Sequence, residues 1–360
     1  MEHATLILGA DIGEKMLAIS CNQINQKEII NGTFPLEGNR DGEEMIRKIK
    51  EFLEKNNLPD KVDYFIYTCE NYPLSKCKRM EKQLSAQGIG RTGSRLISRE
   101  NAFVHYVMNQ EEALHKHTVM MFDFDGQELT GYRLFHPRKK MPKEMKTEKE
   151  VIGTFHLNGD VQSLGKIFDN KFADVARQLL SKEVVSAVFL TGQGFEGGWM
   201  NKSLKVLCDG RRAFFGQNLF SSGCCYYGTM ISQDIKTDYH IQAPETVIYE
   251  AGVVDSGTED SFVKITEAGV PWYETKGSLD VIVERGGKVD VVFVHSETQE
   301  KQVESVDISA LPARPRKTGR LRLSVEFQDS SSGVIMVWDK GFGRFVPATH
   351  QVFIKEFKLL

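Results

Sequence analysis

Two hydrophobic patterns divide the chain. Up to about residue 238, apolar runs typical of buried strands alternate with segments whose apolar residues recur at helical spacing. From residue 246 to residue 357, apolar and polar residues instead alternate in eight short segments separated by Gly, Asp and Ser turns. The first region is therefore predicted to be α/β and the second an all-β sandwich.

The helices and strands of the first region follow from these two periods. GEEMIRKIKEFLEK predicts an amphipathic helix over 42–55, and VDYFIYT predicts a buried strand over 62–68. Further helices are predicted over 74–88, 99–109, 161–180 and 221–232, and further strands over 95–98, 150–155 and 184–190.

Two hairpins with acidic turns lie about a hundred residues apart. In VMMFDFDGQELTGYRLF (119–135), an apolar strand ends at Asp123 and the turn carries Asp125 and Gly126. Near the N-terminus, an apolar strand over 5–8 runs into a turn that contains Asp11. A carboxylate at such a turn can hold a cation or a polarised water. The repetition suggests a duplicated unit with a cleft between its copies.

A glycine-rich loop follows the strand predicted over 184–190. Glycines at such a position let the backbone come close to a ligand, such as the sugar or base of a nucleotide. A strained loop without any ligand is the alternative. The glycines in question are Gly192, Gly194, Gly197 and Gly198.

Composition limits the classes of partner and compartment. The 46 basic and 49 acidic residues nearly cancel, so charge gives no support to a nucleic acid or an anionic membrane as partner. The sequence has no run of 18 apolar residues, so no membrane span is predicted. It has no basic segment at the N-terminus, so no signal peptide is predicted. The six cysteines include no C-x-x-C pair, which argues against zinc and against a disulfide scaffold. A cytoplasmic location is expected.

The order of these elements resembles that of the actin, hexokinase and heat-shock ATPase superfamily, and most of all the seventy-kilodalton heat-shock chaperones. GADIGEKMLAIS (9–20) corresponds to the first phosphate loop of that family, and FDFDGQELTGYRL (122–134) to the second. RLISRENAFVHYVMN (95–109) corresponds to the segment with the catalytic glutamate, and VFLTGQGFEGGWM (188–200) to the adenosine loop. ISALPARPRKTGRLRLSVEFQDSSSGVIMVWD (308–339) resembles a signature of the substrate-binding β-sandwich.

The resemblance implies a fold, a division into domains and a cofactor. The fold would be a duplicated actin-like ATPase fold of two ribonuclease-H-like lobes, over 1–115 and 116–238, followed by a β-sandwich over 239–360. The ligands would be ATP or ADP together with Mg²⁺.

The resemblance also assigns roles to individual residues. Asp11 and Asp123 would hold the waters of Mg²⁺, and Glu100 would orient the attacking water. Without a nucleotide, the two aspartates would be ordinary turn caps, and Glu100 would stabilise the start of its helix. The residues predicted to contact the phosphates are Gly13, Lys15 and Gly126, and those predicted to line the adenosine are Gly192, Gly194 and Gly197.

Several positions depart from the family pattern. Glu14 and Lys15 replace a pair of hydroxyl residues in the first phosphate loop. In the second loop, Asp125 and Glu128 add carboxylates close to the expected triphosphate, which would repel them unless Mg²⁺ lies between. The roughly 50 residues between the second hairpin and the strand at 184–190 are too few for the extra nucleotide-capping subdomain.

Two hypotheses from different classes remain. The first is a chaperone-like protein that binds ATP, hydrolyses it slowly and couples this to the sandwich. The second is a pseudo-ATPase, in which the fold is a scaffold and the sandwich is a protein-interaction module. A sugar or acetate kinase is a poorer third. In either of the first two cases the sandwich would bind an unfolded peptide or a strand of another protein.

Overall fold

The computed structural model of the chain divides into two compact units, residues 1–243 and residues 244–360. It describes residues 5–24, 28–37, 40–136, 143–155, 161–237, 239–254, 261–283, 287–312, 314–315 and 318–360. Asp238, where the sequence predicts the domain boundary, lies outside the described residues, as does part of the proline-rich turn in the 308–339 signature.

The first half of the first unit is a five-stranded sheet with three helices. Its strands are ordered β3-β2-β1-β4-β5, with β1 antiparallel to β2 and parallel to β4. The elements are β1 (Leu6–Ile12), β2 (Met16–Gln23), β3 (Ile30–Pro35), α1 (Gly42–Lys55), β4 (Val62–Thr68), α2 (Leu74–Ala86), β5 (Ile89–Leu96) and α3 (Arg99–Met108).

The second half repeats this order of elements. Its sheet runs β10-β9-β6-β7-β8-β11, so that in both halves the first strand is flanked by the second and the fourth. The strands are β6 (Thr118–Phe124), β7 (Glu128–Phe135), β8 (Lys143–Thr154), β9 (Val185–Thr191), β10 (Arg212–Phe215) and β11 (Tyr239–Gln242). The helices are α4 (Val161–Leu180), α5 (Lys202–Leu207) and α6 (Leu219–Ser232).

Helices α3 and α6 cross closely between the two sheets. A Cβ atom added at Gly223 of α6 would lie 1.9 Å from the carbonyl oxygen of Ala102 in α3, so glycine is required at the crossing. One core joins these two helices to both sheets, through residues such as Ile66 and Phe189. Helices α1 and α2 cover the other face of the first sheet, and α4 covers the other face of the second.

The second unit consists of two antiparallel four-stranded sheets that share one core. Their orders are β13-β12-β15-β16 and β14-β17-β18-β19. The strands are β12 (Tyr249–Val254), β13 (Phe262–Thr266), β14 (Lys276–Val283), β15 (Lys288–His295), β16 (Lys301–Asp307), β17 (Gly319–Phe327), β18 (Ser332–Asp339) and β19 (Val352–Lys358). These eight strands correspond to the eight alternating segments of the sequence.

The structure differs from the predicted elements where strands are polar. β5 begins at Ile89, whereas the sequence predicted a strand only over 95–98, because the segment GRTGS is too polar and glycine-rich to resemble a strand. Asp11 lies within β1 rather than in the turn after it, whereas Asp123 lies near the end of β6, where the sequence predicted the strand to end. Among the helices of the described residues, none is both long enough and apolar enough to cross a membrane.

Candidate functional site: a buried arginine between two aspartates

The two halves place an aspartate at equivalent points of their sheets. Asp11 of β1 is in register with Thr68 at the end of β4, and Asp123 of β6 is in register with Thr191 at the end of β9. The hydroxyl group of Thr68 donates to Asp11 Oδ1 over 2.6 Å. Because parallel strands end at the same edge of a sheet, each aspartate lies at the carboxyl edge of its own sheet.

Arg99 connects the two aspartates. It is the first residue of α3, directly after the N-cap Ser98. Its guanidinium group donates two hydrogen bonds to Asp11, from Nε to Oδ1 (2.9 Å) and from Nη2 to Oδ2 (3.0 Å). Nη1 donates to Asp123 Oδ2 over 3.2 Å. One buried cation thus joins the carboxylates of both halves.

A third carboxylate and a second cation complete the cluster. Arg99 Nη1 also lies 3.3 Å from Glu70 Oε2, and Lys149 pairs with Glu70. The side chains of Arg99, Asp11 and Asp123 are 17%, 15% and 17% exposed. The Arg99 guanidinium lies 4.8 Å from the centre of the Phe220 ring. Three carboxylates therefore contact Arg99, and Lys149 binds one of them.

The pKa values of Arg99 and Asp123 reflect both their burial and the charges beside them. Burial alone would lower the pKa of Arg99, but Asp11 and Asp123 hold it well above its usual value, so the guanidinium keeps its charge. Burial raises the pKa of Asp123 to about 6, against the opposing effect of Arg99 and with help from Asp11 and Glu70. Asp123 therefore gains a proton at a higher pH than an ordinary aspartate.

The predicted first phosphate loop is a tight turn with a backbone hydrogen bond of its own. The N–H group of Gly13, which a phosphate would need, donates to the carbonyl oxygen of Met16 over 2.9 Å in a tight turn. A Cβ atom at Gly13 would lie 3.9 Å from Nη2 of Arg99, so this loop borders the arginine. Lys15 is exposed.

The predicted second phosphate loop is capped by its own aspartate. Asp125 Oδ1 accepts hydrogen bonds from the backbone N–H groups of Gln127 and Glu128, each over 2.7 Å. Gly126, which lies between Asp125 and Gln127, has a φ of 97°, which permits the turn. The carboxylate of Asp125 thus takes the N–H donors that a bound phosphate would use.

The glycine-rich loop packs against the protein's own aromatic side chains. A Cβ atom at Gly194 would lie 2.2 Å from Cδ1 of Phe124, and one at Gly192 would lie 2.2 Å from the carbonyl oxygen of Phe124. Trp199 donates from Nε1 to the carbonyl oxygen of Gly194 over 2.9 Å. These two glycines therefore permit a close approach to Phe124. The buried aromatic cluster beside them consists of Phe124, Phe155, Phe168, Phe172, Phe195 and Trp199.

The remaining predicted residues lie near this cluster or beyond it. Glu100 is in the first turn of α3, next to Arg99, and is 8% exposed. Burial raises the pKa of Tyr132 against the opposing effect of Arg99, and Glu100 adds a small part of the increase. Gly197 lines a cavity on the far side of the glycine-rich loop.

These contacts do not fit Mg²⁺ and ATP in the way that the resemblance implies. Both carboxylates that would hold the hydrated cation bind a guanidinium group, and N–H groups expected to bind phosphate donate to oxygens of the protein. In the part of the chain that the structure describes, no group of three His, Cys, Asp or Glu side chains is arranged to hold a metal ion. The roles predicted for Asp11, Asp123 and Glu100 in metal binding and catalysis stay predictions.

Neither Arg99 nor Glu70 was predicted from the sequence as a site residue. One signal was available for Arg99, because a cation in the first turn of a helix opposes the helix dipole and requires a compensating contact elsewhere. Glu70 follows β4 in a polar segment that gave no signal of its own.

Two family models match the chain. One, described as "Family of unknown function (DUF5716) C-terminal", matches residues 24–242. The other, described as "Domain of unknown function (DUF8552)", matches residues 252–359. A comparison with curated proteins gave no match.

Several solved structures are similar to this chain over 63–64% of its length. Ethanolamine utilization protein EutJ from Carboxydothermus hydrogenoformans has 11% identity and a TM-score of 0.43, covering 63% of this chain and 90% of its own. Component A of (R)-2-hydroxyglutaryl-CoA dehydratase from Acidaminococcus fermentans has 13% identity and a TM-score of 0.43, covering 64% and 100%. ROK hexokinase from Thermus thermophilus has 10% identity and a TM-score of 0.39, covering 64% and 100%. These similarities are too distant to transfer a function.

Proposed function

We propose that the first unit of this chain is a degenerate actin-like ATPase scaffold that does not hydrolyse ATP. The chain belongs to the family described as "Family of unknown function (DUF5716) C-terminal". The observation that carries this proposal is the position of Arg99 between Asp11 and Asp123. A guanidinium group there supplies internally the positive charge that a hydrated Mg²⁺ would bring. The scaffold is therefore complete without a nucleotide.

The second predicted phosphate loop supports the same proposal. Asp125 supplies internally the negative charge that a phosphate would bring to the N–H groups of Gln127 and Glu128. Both charges of a metal–nucleotide complex thus have a counterpart within the protein. For ATP and Mg²⁺ to bind, Arg99 and Asp125 would both have to leave their partners, and the departure of Arg99 would leave two largely buried carboxylates without their cation.

The chaperone-like ATPase is the second candidate. It is favoured by the contact of one guanidinium with both predicted magnesium-binding aspartates, Asp11 and Asp123, which brings them close together. It requires a second conformation in which Arg99 no longer lies between them.

Titration calorimetry of ATP with and without Mg²⁺, together with a phosphate-release assay, separates these candidates. We expect Mg²⁺ to add nothing to any affinity for ATP, and we expect no phosphate release above that of buffer. Asp11→Asn is the matched variant, since a working site would lose its metal with this carboxylate. Magnesium-dependent binding or phosphate release that disappears in Asp11→Asn would overturn the proposal.

The second unit would then provide the binding activity. β19 is at the edge of its sheet, and it exposes Val352 and Ile354 by 45% and 66%. An exposed edge strand with alternating apolar side chains suits an extended peptide or a strand of another protein.

In fluorescence anisotropy with a permanently unfolded, labelled protein, we expect Ile354→Asp to weaken binding, while Ile282→Asp on the opposite edge strand β14 leaves it unchanged. Equal effects of the two variants, or no binding by the full chain, would contradict this role.

A further inference from the structure

A lysine-lined cavity lies on the second half of the first unit, away from the Arg99 cluster. It has a volume of about 520 Å³, which is in the range of small-molecule sites. One wall is the beginning of α4, with Lys166 and Asn170, and the other is the segment from Gly197 to Lys205. The site described above did not use this cavity, apart from Gly197.

Three ammonium groups determine the charge of this cavity. Lys166, Lys202 and Lys205 all line it, and within the described ranges none of the three forms an ion pair. Lys202 Nζ donates to Asn170 Oδ1 over 3.1 Å and retains further N–H groups. Unpaired ammonium groups that line one cavity attract an anion.

Among the described residues that line the cavity, Asp169 is the single carboxylate, and it is already hydrogen-bonded. Asp169 accepts from the backbone N–H groups of Asn201, Lys202 and Ser203 and from the hydroxyl group of Ser203, over 2.6 to 3.1 Å. Burial would raise the pKa of Asp169, but these hydrogen bonds lower it, so the group stays ionised. Its charge holds the start of α5 in place, and the described residues that line the cavity carry an excess of two positive charges.

The backbone of the glycine-rich loop borders the same space. Gly197 and Gly198 have φ values of 95° and 68°, and a Cβ atom at Gly198 would meet nothing within 4 Å. The floor of the cavity includes Trp199, which is 6% exposed and held by its hydrogen bond to Gly194. A ligand can therefore approach this backbone from outside, on the side where the lysines lie.

We propose that this cavity binds a small anion that carries at least two phosphate groups. Ammonium groups on flexible stems suit phosphate as point charges, and three of them match a ligand with two or more negative charges. Inorganic pyrophosphate and an organic diphosphate share this chemistry. The cavity does not include Arg99, Asp11 or Asp123, so this proposal is independent of whether the first unit hydrolyses ATP.

Calorimetric titration of inorganic pyrophosphate into the full chain, without added metal, tests the proposal. We expect one site per chain and at least about a tenfold loss of affinity in the double variant Lys202→Glu, Lys205→Glu, since charge-assisted hydrogen bonds are lost. Lys171→Glu is the matched control, because Lys171 is an exposed lysine of the same helix α4 that does not line the cavity. Circular dichroism of each variant confirms that it is folded.

The outcomes are distinct. Binding that survives in Lys171→Glu but is lost in the double variant supports the cavity. No heat with millimolar pyrophosphate would overturn the proposal, as would an equal loss in Lys171→Glu, which would indicate attraction to general surface charge. A parallel titration with an organic diphosphate distinguishes a site for the phosphate groups alone from one that also holds an organic part. Neither titration contains magnesium, so an absence of pyrophosphate binding would leave the proposal about the Arg99 cluster unaffected.

Discussion

At the scale of single residues, Arg99 stabilises the first unit by pairing charges that would otherwise be buried alone. Its three hydrogen bonds to Asp11 and Asp123 satisfy carboxylates that are less than a fifth exposed. A buried pair gains little over an apolar one, but removing a single partner costs several kcal/mol because the remaining charge is unpaired. Arg99 should therefore be one of the least replaceable side chains of the unit.

Arg99→Met should lower the free energy of unfolding of the first unit by about 3–5 kcal/mol at pH 8. Urea denaturation followed by circular dichroism measures the loss. The loss should be smaller at pH 5, because protonation of Asp123 removes one of the unpaired charges. Arg177→Met is the control, since Arg177 and Asp174 form an exposed pair on α4 and its loss should cost less than about 1 kcal/mol. A loss for Arg99→Met as small as that of the control would show that the cluster is not a structural unit.

Asp123→Asn should change how stability depends on pH. The pKa of Asp123 is raised from 3.8 to about 6 in the folded protein, so the unfolded chain releases this proton more easily. Its contribution to the free energy of unfolding is fully present below pH 3.8 and is lost as the pH rises through 6. The stability of the wild type minus that of Asp123→Asn should accordingly fall by up to about 3 kcal/mol between pH 4 and pH 7. A difference that stays constant over this range would refute the raised pKa.

At the scale of elements, the crossing of α3 and α6 positions the cluster. Arg99 begins α3, and the ring of Phe220 in α6 lies against its guanidinium group. Gly223, one turn further along α6, touches the backbone of α3 at Ala102. The two helices therefore determine together where the guanidinium group lies.

Gly223→Ala should destabilise the first unit by about 1–3 kcal/mol, although alanine usually favours a helix. The added methyl group would lie 1.9 Å from the Ala102 carbonyl oxygen, so the helices must move apart. Gly216→Ala is the control, because its methyl group would meet nothing closer than Leu219 at 3.8 Å. Thermal unfolding of both variants measures the effect, and equal unfolding temperatures would contradict a close crossing.

The elements show which local signals a sequence carries. The bounds of α1, β4 and α4 follow from hydrophobic period and capping residues, which act over a few positions. β5 and β10 escaped prediction because a polar or very short strand has little pattern of its own and is formed by pairing with a distant neighbour.

For the molecule as a whole, the duplicated order of elements could be predicted from the sequence, but the contact of Arg99 with an aspartate of each half could not. Two similar hairpins indicated two similar halves, and the sheets show the same strand order in each. Nothing in the sequence placed Arg99 between Asp11 and Asp123, because that contact joins residues 88 and 24 positions apart through the crossing of α3 and α6. The resemblance directed attention to Glu100, and the residue directly before it forms the centre of the cluster.

The most direct test of the account is a crystal structure of the protein soaked with ATP and Mg²⁺. We expect that Arg99 still donates to both Asp11 and Asp123, that Asp125 still caps its own loop, and that no metal or phosphate lies between the two aspartates. A guanidinium group displaced from the aspartates, with Mg²⁺ and phosphate oxygens in its place, would contradict it.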